Sequence, residues 1–511
     1  MENGCQQQFA YIYKSCSINF YKGVFNMTNL KRWLAAVLAG LMILPLAACG
    51  SNTEMPEDST VSTTAAVTEG VPDYFPDVEK NDYKGETFHM VGFEAPGSWY
   101  YSESMSDEQG SMHVLNNTVY EMNTLVEEYL GVNITYEYIS KISTGGEIFD
   151  TVWPTIMSGD DAYQLCILHP YYSNVNFITQ NGVLDFYTLP DFDPEQPYWN
   201  SEVMEQLSIN GHAFLGVGDI CKYKLNVLYC NKDLLNTVGR TVPYDKVRNG
   251  TWTLDEFFTI SSDLYVDNGD GQRNNEDTYG FASLWDTNAS DFMQSCGIYV
   301  VTRNEEDLFE LTIYNDRLVE MYDKLYSWTE DESFYYWTWG GRKDESLVVN
   351  FRDSRSYFTH EYLDTTYLDA EFSVGILPMP KFDTNQAEYA HVNWGNNIML
   401  PSTVKNTEMV GQVLELMGYY SRTLVQERYY DDVLQLRVSE APDDRDMVEL
   451  IYNTVVFDPG IAFCDGNTQL WWLVYLPCFT IQERAKSVSA YYKANARGAQ
   501  QWLDKAFTKV K

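Results

Sequence analysis

The chain is poor in positive charge. Its 34 Lys and Arg stand against 73 Asp and Glu, a formal charge of −39 over 511 residues. So acidic a body argues against nucleic acid or anionic lipid as a direct partner, because both would be repelled. Cysteine is sparse too. There are 9, with no Cys-x-x-Cys among them, so zinc spacing is missing. The chain has no Gly-x-Ser-x-Gly elbow, no His-Glu-x-x-His pair and no phosphate-binding glycine loop. The 6 His are scattered, and carboxylates are too numerous for any two to be paired for acid/base work. We therefore expect no catalytic residues, no metal and no cofactor. The apolar stretch Leu34–Ala48 falls short of the ~20 residues a helical span needs, and Pro45 interrupts it.

What that stretch does have is order. Lys31 and Arg32 precede it, and Leu46-Ala47-Ala48-Cys49 closes it. A charged start, a short apolar run and small residues read as a secretory signal. A Cys directly after the small residues resembles a bacterial lipobox. Residues 1–48 are then an upstream extension and a lipoprotein signal peptide, with translation starting at Met27. The expected product carries lipid on Cys49 and sits on the extracellular face of the cell membrane. Residues 49–80, rich in Ser, Thr, Pro, Asp and Glu, read as a disordered tether. The body is 45% hydrophobic and 15% aromatic overall, ample for a core of two or three units.

Six cysteines follow Cys49. The compartment permits disulfides, and Cys221–Cys230 is a candidate bridge. Cys166 lies in the apolar run Leu165-Cys166-Ile167-Leu168 and reads as a buried free thiol.

Order is expected from Tyr83. Thr87–Phe93 reads as a strand. Leu115, Val119, Met122, Val126 and Leu130 share a helix face, with Gly131 as its stop. Val132, Ile134, Tyr136 and Tyr138 alternate as in a strand. Gln164–Leu168, Ala213–Val217 and Phe372–Leu377 read as further strands. Thr253-Leu254-Asp255-Glu256 is a capping box opening a helix. Val410, Val413, Leu414 and Met417 line another helix after Asn406-Thr407, and the C-terminal end is helical again. Strands alternating with helices imply an α/β body.

Several segments together resemble the extracellular solute-binding proteins of bacterial ABC importers, of the carbohydrate-binding kind. They are Leu115–Asn123 with Glu127–Val132, Gly159–Leu165, Gly182–Asp185, Gly216–Asp219, Tyr229–Leu235, Asn249–Phe257 and Val374–Lys381. Their shared order spans most of residues 83–430. The resemblance implies an α/β, two-lobe periplasmic-binding-protein-like fold with a hinge and an interlobe cleft. It places one lobe at 83–220 plus 394–430 and the other at 221–393 plus 431–511. Its partners would be a carbohydrate ligand and the membrane subunits of an ABC permease, with the membrane touched only through the lipid anchor.

A sugar offers hydroxyls and weakly apolar faces, so its binder needs flat rings and fixed polar groups. The chain supplies 39 Tyr and 13 Trp. In open α/β sheets ligands gather beyond the carboxyl ends of strands. By that rule Trp99 and Tyr100 follow the first strand, His169 ends Leu165–Leu168, Asp219 follows Ala213–Val217, and Trp285 follows Tyr279–Leu284. Trp394, with Asn396 beside it, lies where the resemblance puts the return crossing of the hinge. Trp337, Trp339 and Trp471-Trp472 read as packing residues.

Val266-Asp267-Asn268-Gly269-Asp270-Gly271, with Asp277, is similar to a calcium loop. With Gly271 as the turn glycine, the first ligand position falls on Val266, which cannot coordinate. The reading is a solvated acidic turn. Three rivals to sugar capture exist: a surface glycoside hydrolase, a surface adhesin or scaffold, and the same fold carrying peptide.

Overall fold

The computed structural model describes residues 75–93, 114–139, 146–170, 174–221, 223–337, 347–363, 370–428, 442–464, 469–485, 487–508 and 510. Cys49, residues 50–74 of the expected tether, Trp99, Tyr100 and Trp339 lie outside them; the tether's last residues, 75–80, are packed on the body instead, with Val78 buried and Phe75 against Tyr129 and Tyr419. Among the described residues no helix is long and apolar enough to cross a membrane.

The strands form two principal sheets. The first has the order β12 (Asn397–Met399), β3 (Leu165–Leu168), β1 (Glu86–Phe93), β2 (Val132–Ile139). β2 and β3 run parallel to β1, whereas β12 is antiparallel to β3. Parallel strands are covered on both faces. Accordingly Phe88, Met90, Val91 and Phe93 are all buried, as is every residue of β3. Helix α1 (Val114–Leu130) crosses from β1 to β2 and buries Val119, Met122, Val126 and Leu130. Each such side chain removed from water stabilises by roughly 1.5–3 kcal/mol. Gly131 stops the helix at φ +62°, and a Cβ there would meet Asp82 Oδ1 at 2.4 Å.

The second sheet has the order β10 (Val374–Leu377), β4 (Asn226–Asn231), β9 (Ser356–Tyr362), β5 (Tyr279–Leu284), β8 (Phe334–Trp337). β5 runs parallel to β8 and β9; β4 is antiparallel to both its neighbours. The capping box is formed: Thr253 Oγ1 accepts from Glu256 N, opening helix α2 (Leu254–Ser261). Helix α3 (Trp285–Ser295) starts directly where β5 ends.

The chain passes between the sheets twice within the described segments, after β3 and before β12. The two passages lie side by side. Leu225 bridges Asn393 in antiparallel fashion, and β11 (His391–Val392) pairs in parallel with β13 (Val455–Val456). Helix α4 (Thr407–Tyr420), capped by Asn406, then packs on α1. Helix α5 (Pro442–Asn453) packs on β10, where buried Asp444 accepts from Ile376 N at 2.9 Å and Lys232 Nζ at 2.5 Å. Helices α6 (Gln469–Val474), α7 (Leu476–Gln482) and α8 (Ser489–Ala506) close the chain, with α7 against α3 and α8 against α6.

Two further expectations need correction. Ala213–Val217 is not a strand: only Gly216 bridges, to Ile398. A Cβ at Gly216 would lie 2.6 Å from Ile398 Cγ1 and 2.8 Å from Phe186 Cζ, so only glycine fits at this bridge. Cys221 and Cys230 do not bridge. All six described cysteines are buried and none forms a disulfide among the described residues; Cys230 faces Gly375 on the neighbouring strand.

Candidate functional site at the strand crossing

The carboxyl end of β3 delivers His169 to the crossing. The ring is 5% exposed and hydrogen-bonds the Trp394 backbone. Burial, helped by nearby Lys224, pushes its pKa down to about 3, so the ring is neutral at physiological pH.

Trp394 gathers contacts from several elements. Its backbone N–H donates to Lys224 O at 3.0 Å, which joins the two passages. Its indole Nε1 donates to Asp291 Oδ1 on α3 at 2.7 Å. Its ring stacks on Tyr475, between α6 and α7, with centroids 6.0 Å apart and planes at 27°. The side chain of the preceding Asn393 accepts from Lys224 N at 2.9 Å and Gly395 N at 2.8 Å, fixing the turn around Trp394. Asn396 is buried beside it.

Behind Asp291 stands His360 on β9. Its Nε2 lies 3.4 Å from Asp291 Oδ2, and both residues are buried. Asn226, at the start of β4, also hydrogen-bonds the Asp291 carboxyl.

Asp219 lies elsewhere. It lines a recess of about 340 Å³ together with Tyr198, Trp199, Asn200, Tyr223 and Arg422. Its Oδ2 pairs with Arg422 Nη1 at 3.0 Å. Burial raises its pKa to about 6, against the pull of Arg422. A larger groove of about 770 Å³ adjoins, lined by Tyr187, Glu202, Glu205, Gln206, Arg303 and Asp307 among others.

The structure therefore brings His169, Trp394 and Asn396 to one place and puts Asp219 in another. The backbone of Trp285 opens α3 at the end of β5; its side chain lies outside the described residues, as does that of Trp337. Trp471 and Trp472 sit on α6, and Trp471 packs on Tyr475 and Phe479.

The acidic turn does draw three carboxylates together. Oxygens of Asp267, Asp270 and Asp277 lie within 4.8 Å of one another. They are spent on their own loop, however. Asp267 accepts from Gly269 N and Gly271 N, and Asp277 from Asn268 N, Asn274 N and the Tyr265 hydroxyl. Burial pushes the Asp277 pKa up, but those donors outweigh it and leave it below the usual carboxylate value.

No family model matches the sequence, and no curated protein does either. Solved structures do match. A substrate-binding protein of an ABC importer from Listeria monocytogenes, in complex with cycloalternan, is 14% identical with a TM-score of 0.56, covering 82% of this chain and 99% of that one. The galacto-N-biose-/lacto-N-biose I-binding protein of the ABC transporter from Bifidobacterium longum, holding lacto-N-biose, is 10% identical with a TM-score of 0.56, over 84% and 99%. Maltose-bound MalE3 from T. maritima is 11% identical with a TM-score of 0.52, over 82% and 100%.

The chain has the two-lobe fold of ABC-importer solute-binding proteins. The two sheets and the paired passages between them are the parts of this chain that carry that fold. Trp394 thus sits at the crossing between the two sheets, held through His169 at the end of β3 and through Asp291 on α3.

Sequence reasoning missed Lys224, Asp291, His360 and Tyr475. Asp291 left no local trace, since Asp286, Asn288, Ser290 and Gln294 make the segment around it polar throughout. Its partner lies 103 residues away, which no local pattern reveals.

Proposed function

We propose that this protein captures a sugar or oligosaccharide between its lobes and delivers it to an ABC permease. It works from the outer face of the cell membrane, held there by lipid on Cys49 and the tether that follows it. The lobes are 83–220 plus 394–430 and 221–393 plus 431–511. The membership of the two sheets supports that division, since 86–168 and 397–399 build one and 226–377 the other.

One observation carries the reading. Trp394 is an aromatic ring at the hinge, tied to one lobe by His169 and to the other by Asp291. A cargo that meets this ring touches the point on which both lobes turn. A ligand shifts an opening equilibrium only by the contacts it makes better in one state than the other. Similar structures hold cycloalternan, maltose and lacto-N-biose, which supports carbohydrate as the cargo class. His169, Trp394 and Asn396 are assigned to the ligand, with Trp99, Tyr100 and Trp285 on the loops beyond the strand ends. Asp219 is assigned to the recess beside the first passage.

The test is a thermal-shift screen against cycloalternan, maltose, lacto-N-biose and a set of peptides. A stabilisation by at least one saccharide and by no peptide is expected. Stabilisation by peptides alone would transfer the cargo to that class. Turnover of a labelled glycan would replace capture by hydrolysis.

A further inference from the structure

Helix α3 carries buried polar residues where a core helix would carry apolar ones: Ser290, Asp291, Gln294 and Ser295. Three of these have plain uses or none. Ser290 Oγ donates to Val474 O and meets Cys478 Sγ on α7, and Ser295 Oγ donates to Pro380 O. Gln294 has no side-chain partner among the described residues. Asp291 is different, because its partners come from three other parts of the chain: Trp394, Asn226 on β4 and His360 on β9.

An isolated carboxylate in so dry a place is costly unless it is paired with a cation or takes up a proton. No cation is in contact with Asp291 among the described residues. The groups that face it are the Trp394 indole, the Asn226 side chain, and from β9 His360 with Glu361 close by. From α7, Cys478 lies against the neighbouring Ser290. Burial raises the Asp291 pKa to about 8; the bonds from Trp394 and Asn226 act against that rise and Glu361 adds to it. Burial lowers that of His360 to about 3. Neither ring nitrogen of His360 meets hydrogen-bond geometry among the described residues. A proton on Asp291 Oδ2 satisfies both at once. It gives the acid a donor and the 3.4 Å neighbour Nε2 something to accept.

We propose that Asp291 is a positioning residue of the ligand site: as the neutral acid it accepts a hydrogen bond from the Trp394 indole N–H through Oδ1, directs its own O–H at Oδ2 toward His360 Nε2, and so fixes the ring presented to the sugar. This rests on the reading of Trp394 as a ligand ring. The bond to Oδ1 sets the tilt of the indole, and Tyr475 sets its other face. A ring fixed before the cargo arrives loses less freedom on binding. Ionisation of Asp291 would put a bare anion in this dry pocket and pull structure around it, so the ring would move.

The test uses the full chain and Asp291→Asn, which keeps both functions: the amide oxygen accepts from the indole and the amide nitrogen donates to His360. Asp291→Leu removes both. The first arm needs no sugar. The indole N–H resonance of Trp394 is recognised by its loss in Trp394→Phe. In the parent it is expected to move as pH rises, with a midpoint near 8. In Asp291→Asn it is expected to hold the parent's low-pH position throughout. A parent resonance that ignores pH from neutral to alkaline, or an Asn variant whose resonance lies where the Leu variant puts it, overturns the proposal.

The second arm measures affinity for whichever of cycloalternan, maltose and lacto-N-biose gives the largest thermal shift. Asp291→Leu should bind about tenfold more weakly and Asp291→Asn within about twofold of the parent, the scale of one hydrogen bond lost or kept. Equal weakening by Asn and Leu overturns the assignment. If none of the three saccharides binds, the functional reading fails, while the resonance arm still decides the state of Asp291.

Discussion

Two buried aspartates in separate places, Asp219 and Asp291, meet burial in different ways. Asp219 faces Arg422 and opens onto a recess, so a cation shares the cost of its charge. Asp291 faces an indole, an amide and a neutral imidazole, so its cheapest state is the protonated one. Their pKa values, about 6 and about 8, follow that order. The lesson is that burial alone does not say what a carboxyl does. Its partners decide whether it serves as an ion or as a donor, and only the second can hold a ring and a histidine together.

The change with the largest expected effect is Trp394→Ala, which takes away the group that Asp291 serves. The side chain is 4% exposed, so the variant should lose about 3–5 kcal/mol of unfolding free energy in denaturant titrations. Sugar affinity should fall with it. Trp394→Phe separates the two, since it keeps most of the volume and loses only the indole donor. Unchanged affinity in both variants would remove Trp394 from the site.

Next comes the pH dependence of Asp291→Asn. The folded pKa of Asp291 is raised from 3.8 to about 8. Its stabilising contribution is therefore complete below about pH 4 and is lost as pH rises toward 8. The Asn variant does not titrate. Its stability relative to the parent should climb across that window and level off above it. A constant difference between the two would mean that Asp291 is ionised like an ordinary carboxylate.

Arg422→Met attacks the other half of the comparison. Loss of one partner of a buried pair costs ~3–5 kcal/mol. The guanidinium side chain is 38% exposed, so solvent screening reduces the expectation to about 1–2 kcal/mol. Without Arg422 the Asp219 pKa should rise further above 6, moving its stability loss to higher pH. Carboxyl chemical shifts would follow this directly. If Asp219 titrates unchanged, Arg422 is not what moderates its burial.

Smallest of all is Arg248→Ala. Arg248 reaches Asp443 and Asp446 from the surface. Exposed pairs of this kind are worth little and are screened by salt. At moderate ionic strength the unfolding midpoint should not move, which supplies the baseline for Arg422.

Much of the framework was legible before any coordinates. The face Val119, Met122, Val126, Leu130 predicted α1 because helical spacing collects its apolar residues, and Gly131 ended it for the reason that its backbone is left-handed. Thr253 predicted the start of α2 through a cap bond that is local by nature. Asn406 did the same for α4. What failed was whatever depended on distant partners. Ala213–Val217 has a strand's composition, but it pairs only through Gly216 with Ile398, a partner distant in sequence. The spacing of Cys221 and Cys230 allows a bond, but Cys230 lies within β4 and Cys221 before it, and they do not bridge. At the site, Trp394 and His169 could be named from strand ends and from the resemblance. Asp291, His360 and Lys224 could not, since their roles arise only when the passages and α3 come together. Composition counted 73 acidic residues without distinguishing the one whose proton matters.

The side-by-side passages have a mechanical consequence. Segments 224–225, 391–393 and 454–456 are laced edge to edge, through Leu225 with Asn393 and β11 with β13. A laced strip flexes readily through its thin dimension and resists shear and torsion within its plane, like a strap on a box.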